Sequence, residues 1–133
     1  MYISATESGA IYTTELVSGF SEVCISRSEM RDGKYTDFEK IGSPVSIGIN
    51  DMYPCIAPDE SFLVFSSNRV NEDNHHLFFN IPDEEGRWKE PERIETGLDI
   101  SVQPFLSFDK KYLFFTSRGD IYWVDSKIIE ELK

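Results

Sequence analysis

Two aspartates stand in matching sequence contexts and are the first candidates for acid–base chemistry. Asp59 and Asp109 lie fifty residues apart, each shortly before an apolar stretch. Paired carboxylates hydrolyse glycosidic bonds only when they lie within about 10 Å of each other. Matching residues of two repeats are instead a whole repeat apart, and an aspartate in this setting is typical of a tight turn. We therefore predict a turn role for both aspartates and identify no catalytic residue.

The histidines and cysteines do not form a metal-binding pattern. His75 and His76 are neighbours in the chain, and neighbouring side chains of a strand point to opposite faces, which makes joint chelation difficult. Cys24 and Cys55 lack the CxxC spacing of zinc sites. The sequence also contains neither a glycine-rich phosphate loop nor a GxSxG motif. We predict no metal ion and no cofactor.

The charge of the chain argues against two classes of partner. Its 133 residues include 24 acidic and 13 basic side chains, which gives a formal net charge of −11. Such a surface repels phosphate backbones and anionic lipids, so we expect neither nucleic acid nor a membrane as partner. The first ten residues are polar and do not resemble a signal peptide. We expect a cytoplasmic protein from the chain as written, and a periplasmic or secreted one if the native N-terminus lies upstream.

A long segment of the sequence occurs twice. The stretch DMYPCIAPDESFLVFSSNR (51–69) returns as QPFLSFDKKYLFFTSR (103–118). At a shift of 50, five of the fourteen positions 54–67 are identical, whereas chance predicts about one at average amino-acid usage. Repeats of this length indicate a repeat architecture in which each unit packs on its neighbours.

A second alignment extends the repeat to the start of the chain. At a shift of 53, DGKYTDFEKI (32–41) falls on EGRWKEPERI (85–94), and Tyr12 falls on Phe65. The sequence therefore predicts one domain of three units, 1–50, 51–100 and 101–133, and the last unit lacks a counterpart of GRWKEPERI. The alignments place Cys24 on Leu77 and Cys55 on Phe105. Both cysteines thus take apolar positions, and we predict buried thiols.

Each unit is predicted to form four antiparallel strands. In the second unit, the predicted strands and turns are 53–57, the Pro-Asp turn 58–60, 62–67, 77–81, the hairpin turn 82–86, and 87–94. Apolar residues alternate on both faces of strand two, with Phe62 and Val64 on one face and Leu63 and Phe65 on the other, so both faces must be covered. A four-stranded sheet that is repeated and covered on both faces is typical of a β-propeller blade. We predict an all-β partial propeller of about three blades.

The repeated stretch resembles the PD40 repeat, a WD40-like repeat of TolB-type propellers. That pattern has a Ser-Pro-Asp-Gly turn, an aromatic-Leu-x-Phe strand and a Ser-x-Arg sequence, and GDIYWVD (119–125) resembles its third strand. The chain departs from the pattern at Glu60 and Lys110, where glycine is usual, and at Phe108, where proline is usual. The first unit has Ala5-Thr6 in place of Pro-Asp. The resemblance implies a ring of six blades.

Three blades cannot close a ring, because propellers contain at least four. Either the chain is a fragment of a longer propeller, or two chains pair to give six blades; we expect the homodimer. The tail SKIIEELK (126–133) has Ile128, Ile129 and Leu132 at helical spacing, with Ser126 as candidate N-cap. We predict a short helix that covers an open strand edge, and a frayed end is the alternative.

Because strands alternate in direction, the entry to strand one and the loop between strands two and three share one end of the sheets. Loops on a rigid frame commonly carry binding residues. The candidate ligand- or partner-binding residues at this end are Asp51, Tyr53, Asn68, Arg69, Asn71, His75, Gln103, Arg118 and Asp120. We predict that Arg69 and Arg118 occupy matching positions, either for binding or for bonding carbonyl groups of a neighbouring blade.

The predicted function is a non-enzymatic scaffold that binds a protein or small ligand through this loop end. The alternative is a hydrolase-type propeller directed at a glycan or peptide, or an accessory domain of such an enzyme. The sialidase-like Asp-box, Ser-x-Asp-x-Gly-x-Thr-Trp, does not occur in the chain. A hydrolase would require acids that converge in a central pocket.

Overall fold

The computed structural model describes residues 3–17, 22–47, 50–71 and 73–131. The first sheet contains β1 (Ile3–Ala5), β2 (Ile11–Val17), β3 (Glu22–Ser28) and β6 (Glu39–Lys40), with a small hairpin of β4 (Met30–Arg31) and β5 (Lys34–Tyr35) beside it. The second sheet contains β7 (Asp51–Ile56), β8 (Leu63–Asn71), β9 (Asn74–Asn80) and β10 (Glu92–Arg93). The third contains β11 (Val102–Leu106), β12 (Tyr112–Ser117) and β13 (Asp120–Asp125), and the chain continues into α1 (Lys127–Glu131). All neighbouring strands in these sheets are antiparallel, as predicted.

The second sheet is covered on both faces, which confirms the prediction from strand β8. Leu63 and Phe65 lie in the core between the first and second sheets, whereas Val64 and the partly buried Phe62 lie in the core between the second and third. The 1–2 core contains Tyr12, Ile25, Val45, Ile56, Leu63, Phe65 and Phe78. The 2–3 core contains Cys55, Val64, Leu77, Phe79, Ile94, Leu113, Phe115 and Ile129. Burial of this apolar surface is the main force that stacks the sheets.

The fourth strand is shorter than the predicted 87–94. Only Glu92 and Arg93 pair with β9, and a separate bridge joins Pro82 to Trp88. Pro91 has no N–H to donate to the ladder, so regular pairing cannot continue through it. The outer strand therefore consists of two short contacts, and the Ile94 N–H adds a hydrogen bond to the Leu77 carbonyl of β9 at 2.9 Å.

Each Pro-Asp turn contains a residue in the left-handed conformation at the position where the PD40 pattern has glycine. Glu60 and Lys110 have φ of 60° and 63°. Asp59 accepts a hydrogen bond from the Ser61 N–H at 3.0 Å, and Asp109 accepts one from the Lys111 N–H at the same distance. Hydrogen bonds from the hydroxyl and the N–H of Ser61 hold the pKa of Asp59 below its usual range, and hydrogen bonds from the Ser107 hydroxyl and the Lys111 N–H do the same for Asp109. Both aspartates thus have the turn geometry that the sequence predicts.

The alignment of the first unit at a shift of 53 is wrong for its second and third strands. The turn bond runs from the Thr6 N–H to the Ala10 carbonyl in the first unit, but from Ala57 to Phe62 in the second, which makes the first turn one residue shorter. Strand two therefore aligns at a shift of 52 and places Tyr12 on Val64. In agreement, Tyr12 and Val64 each face the following sheet.

The same one-residue correction applies to Cys24. Strand β3 pairs Ile11 with Ser28, as strand β9 pairs Leu63 with Asn80. Cys24 therefore matches His76 and not Leu77. The prediction of buried thiols is nevertheless confirmed, since both Cys24 and Cys55 are buried and free.

The C-terminal segment forms the predicted short helix, which packs into a core. Ile129 is fully buried in the 2–3 core. The predicted cap at Ser126 is wrong: its hydroxyl donates to the Lys110 carbonyl, and Asp125 accepts the Lys127 N–H at 2.9 Å. Leu132 lies outside the described residues.

Candidate functional site

The structure separates the predicted binding residues by exposure. Gln103, Arg118 and Asp120 are exposed, Tyr53 and His75 are half-buried, and Asp51 and Asn68 are buried. The side chain of Arg69 is only 11% exposed, and that of Asn71 lies outside the described part of the chain. The exposed candidates all belong to the third sheet.

Asp51 is the centre of a buried network at the start of the second sheet. Its carboxylate accepts hydrogen bonds from the Ile47 N–H at 2.9 Å and the Ser67 hydroxyl at 2.6 Å. It also forms an ion pair with Arg69 at 2.9 Å, in which Asp51 is fully buried. A buried carboxylate requires such partners, because an unpaired charge is costly away from water.

Arg69 joins the second sheet to the loop that leaves the first. Its guanidinium donates to the carbonyl groups of Pro44 and Val45. The same group lies 5.0 Å from the ring centre of Phe65 and 5.2 Å from that of Phe78, within cation–π range. Every side of this cation is thus engaged inside the protein, which is the carbonyl-bonding role that the repeat suggested.

Arg118 has a different environment. Its side chain is 66% exposed and forms an ion pair with Asp99 at 2.5 Å. Arg118 directly follows Ser117, whereas Arg69 follows Ser67 by two residues, so the predicted matching of the two arginines is wrong by one position. Arg118 and Gly119 have φ of 48° and 86°, a tight left-handed turn that ends β12 and forces the difference.

Strand one carries a bulge at the same place in the second and third sheets. The pairing register shifts between Met52 and Cys55, and again between Val102 and Phe105. Tyr53 and Gln103 lie in these bulges with φ of 55°, a conformation that is costly for residues with a side chain. The Tyr53 N–H donates to the Thr14 hydroxyl at 2.9 Å, and the Gln103 side-chain oxygen accepts from Thr116 at 2.8 Å.

Tyr53 and Gln103 are thus polar residues held at strained backbone positions in the first strand of their sheets. Strained backbone of this kind is concentrated at binding sites, although bulges also terminate pairing in structural roles. Gln103 is exposed and therefore accessible to a ligand, whereas Tyr53 is half-buried against the first sheet. The third sheet again supplies the more accessible member of the pair.

His75 and Asp120 complete the candidate set. Burial lowers the pKa of His75 below its usual range. The His75 carbonyl accepts the Ser101 N–H at 2.8 Å and thereby ties the entry of the third sheet to the second. Asp120 is exposed directly after the Arg118-Gly119 turn.

Sequence reasoning missed Asp99 and a second network at the opposite end of the sheets. There, the Tyr12 hydroxyl donates to Glu60 at 2.9 Å, and Arg27 forms an ion pair with Glu60 at 2.9 Å. Burial and the Glu60 carboxylate raise the pKa of Tyr12 well above its usual range. The signal in the sequence was Glu60, which stands at a turn position where glycine is usual. A glutamate there suggests that its side chain makes a functional or structural contact.

A cavity lies beside the first strands of the three sheets, near the Pro-Asp turns. Its volume is about 610 Å³, and its lining is Ile3, Ser4, Ala5, Glu7, Cys55, Ile56, Pro58, Phe105, Leu106, Ser107, Phe108 and Lys110. Glu7 is the single carboxylate in that lining. The cavity therefore lacks the pair of convergent acids that glycoside hydrolysis requires.

Cys55 is another potentially reactive side chain, and its thiol is buried. Burial raises the pKa of the Cys55 thiol to about 11, which leaves it protonated and a weak nucleophile. In the described residues, no group of three His, Cys, Asp or Glu side chains is placed to hold a metal ion. The described part of the chain contains no helix that is long and apolar enough to span a membrane.

Comparisons with known proteins identify the fold. No protein-family model matches the chain, and no curated protein matches it. Among solved structures, TolB from Acinetobacter baumannii matches 94% of this chain with a TM-score of 0.69 at 16% sequence identity. The match covers 29% of the TolB chain. The chain therefore has the fold of part of a TolB-like β-propeller and spans less than a third of that solved chain.

Proposed function

We propose that this chain is a PD40-type propeller segment that acts as a non-enzymatic binding scaffold. The binding surface is the loop end of the third sheet, formed by Asp99, Gln103, Arg118 and Asp120. The observation that carries the proposal is the exposed Arg118–Asp99 ion pair on a tight turn, beside the strained and exposed Gln103. The loop end of the second sheet is occupied internally by the Asp51–Arg69 pair.

The chemistry of this surface favours a polar partner. An exposed ion pair in water contributes little stability, so a partner can replace one of its members at small cost. Arg118 would then take a carboxylate of the partner in a bidentate geometry, and Gln103 would exchange hydrogen bonds with its backbone or amides. A protein loop or a small ligand with one carboxylate fits this arrangement.

A substitution at Arg118 tests the proposal. Soluble extract from the source cells is passed over the immobilised chain, and bound proteins and metabolites are identified by mass spectrometry. Arg118→Ala is expected to lose the partners that the unchanged chain retains. The matched control is Arg87→Ala, because Arg87 is 72% exposed, forms an ion pair with Asp83, and lies at the opposite end of the second sheet. Equal retention by Arg118→Ala and the unchanged chain would overturn the proposed surface.

A further inference from the structure

The outer face of the third sheet is apolar and open. Ile121 is 75% exposed and Trp123 is 59% exposed, and both lie on the face that points away from the second sheet. The Tyr112 ring packs edge-on against Trp123 with ring centres 5.0 Å apart. We call this surface the aromatic face; it consists of Phe105, Tyr112, Phe114, Ile121 and Trp123. An apolar patch of this kind on an otherwise polar chain marks an interaction surface.

The internal repeat shows which positions of the second sheet correspond to the aromatic face. In the third sheet, Phe105 pairs with Phe114, and Phe114 pairs with Trp123. The corresponding residues of the second sheet, in the same pairing order, are Cys55, Val64 and Phe79. Those residues form the 2–3 core, in which the second sheet packs on the third. The aromatic face therefore occupies the sheet-docking positions of the repeat.

The outer face of the first sheet has the opposite character. Its residues Thr13 and Ser26 stand where the second sheet has Phe65 and Phe78, the large side chains that pack toward the preceding sheet. We call this surface the small-residue face; it consists of Ile11, Thr13, Glu15, Cys24, Ser26 and Ser28. Small side chains stand at these positions, where a preceding sheet would dock, and Thr13, Ser26 and Ser28 are already buried within the chain.

The polar groups of the small-residue face are already satisfied within the chain. The Ser26 hydroxyl donates to the Glu15 carboxylate, and the Ser28 hydroxyl donates to the Thr36 carbonyl at 2.6 Å. Ser26 and Ser28 are buried. A partner could therefore cover the face without leaving these hydroxyls unpaired, and the Glu15 carboxylate would keep its hydrogen bond from Ser26.

We propose that the aromatic face of one copy of this chain docks on the small-residue face of a second copy, and that the two copies make this contact twice around a two-fold axis. Large side chains opposed by small ones fill an interface at normal packing density. The proposal goes beyond the loop-end binding surface and does not depend on it.

The size and charge of the two faces suit a second copy of this chain as the partner. The exposed fractions of Phe105, Tyr112, Ile121 and Trp123, with neighbouring Phe108, correspond to roughly 600 Å² of side-chain surface, against roughly 800 Å² per partner in a standard specific interface. Residues 101–133 carry five basic and five acidic side chains, whereas 51–100 carry four basic and twelve acidic ones, so the aromatic face lies in the charge-balanced part of an acidic chain. Depletion of net charge is typical of an interface core.

Analytical ultracentrifugation over a wide concentration range tests the assembly. The expected mass is twice that of the 15.3 kDa chain. Trp123→Glu is expected to weaken association at least 100-fold, because it places a charge in an apolar interface. Val70→Glu is the matched control, since Val70 is 63% exposed and lies outside both faces; it should leave association unchanged. Ile121→Lys serves as a second face variant if circular dichroism shows that Trp123→Glu is unfolded.

Engineered cysteines distinguish the proposed arrangement from others. Within the chain, the Ile56 N–H donates to the Ser4 hydroxyl at 3.0 Å across two adjacent sheets. In the repeat, Phe105 of the third sheet corresponds to Ser4 of the first, and Ala5 of the first sheet corresponds to Ile56 of the second. In the proposed dimer, Phe105 of one copy would therefore lie beside Ala5 of the other. The double variant Phe105→Cys, Ala5→Cys should form intermolecular disulfides on mild oxidation. Each single variant should remain uncrosslinked, and the native thiols are buried.

Three results would overturn the proposal. The first is a monomer at every concentration, which would leave the aromatic face to another sheet or protein. The second is a dimer that survives both face variants. The third is a disulfide formed by Phe105→Cys alone, which would indicate two aromatic faces in mutual contact.

Discussion

Arg69 and Arg118 follow the second strand of adjacent sheets, yet the two cations have opposite environments. Arg69 is surrounded by Asp51, by carbonyl groups of the first sheet's exit loop, and by two aromatic rings. Arg118 lies in solvent with Asp99 as its charged partner. The one-residue offset between them follows from the tight turn at Gly119. In the second sheet the arginine holds sheets together, and in the third sheet it is available to a partner.

The difference shows that a repeated residue type does not imply a repeated role. Asp51 makes the internal role possible, and the third sheet has Ser101 where the second has Asp51. Without that carboxylate, a buried arginine would be an unpaired charge. The acid that pairs with Arg118 is Asp99, on the segment before the strand, and the pair lies at the surface.

The largest expected effect comes from breaking the buried pair. Asp51→Asn should lower the free energy of unfolding by about 3–5 kcal/mol, because it leaves the Arg69 charge buried without its partner. Asp99→Asn, the matched change in the third sheet, should cost less than about 1 kcal/mol. Urea unfolding followed by fluorescence measures both. Similar losses for the two variants would remove the distinction between the two arginines.

A conservative substitution sharpens the same comparison. Arg69→Lys should cost on the order of 2 kcal/mol, because lysine cannot reproduce the forked donors and the stacking of guanidinium on aromatic rings. Arg118→Lys should change the free energy of unfolding by less than about 0.5 kcal/mol, as is usual for exposed sites. Thermal and urea unfolding of the two variants should rank them in this order. A neutral Arg69→Lys would mean that its contacts to the loop carbonyls contribute little.

The Pro-Asp turns of the two sheets provide a smaller contrast. Lys110→Gly should stabilise the protein by about 0.5 kcal/mol, since glycine accepts the positive φ at this position without strain. Glu60→Gly removes the same strain but also the hydrogen bonds to Tyr12 and Arg27, and should destabilise by about 1 kcal/mol. Opposite signs for these two variants are the expected result of unfolding measurements. A gain in stability for both would show that the Glu60 network contributes nothing.

The smallest expected effect is on the pH dependence of folding stability, through the two histidines near the loop end of the second sheet. Burial lowers the pKa of His75 and of His76 in the folded protein. The unfolded chain therefore binds more protons as pH falls through about 6.5, and stability should decrease from pH 7.5 to pH 5.5. The urea midpoint at the two pH values measures this decrease. His75→Gln should reduce it, and an unchanged decrease would assign the effect to other groups.

Much of the fold followed from the sequence, because the relevant signals are local. Alternation of apolar residues in strand β8 predicted a sheet covered on both faces, and the Pro-Asp pairs predicted the turns. The errors came from features that depend on single residues within a good overall pattern. The shorter turn at Thr6–Ala10 moved two strands by one residue, and Pro91 interrupted the outer strand that was predicted to run continuously over 87–94.

The candidate site was predicted less well, because exposure depends on contacts between distant segments. The sequence identified the loop end but did not indicate that the loop at Pro44 and Val45 covers Arg69. It also gave no sign that Asp99, nineteen residues before Arg118, is the partner of that arginine. Both facts depend on how adjacent sheets stack, which the period of the repeat alone does not determine.

Chemical modification of arginine in the native protein tests the central claim most directly. The folded chain is treated with phenylglyoxal, and the rate of modification at each arginine is measured by peptide mass spectrometry. Arg118 should react about as fast as Arg87, another exposed and ion-paired arginine, while Arg69 should react only after the protein is unfolded. If Arg69 reacts in the native protein as fast as Arg118, the two loop ends are equivalent and the account is wrong.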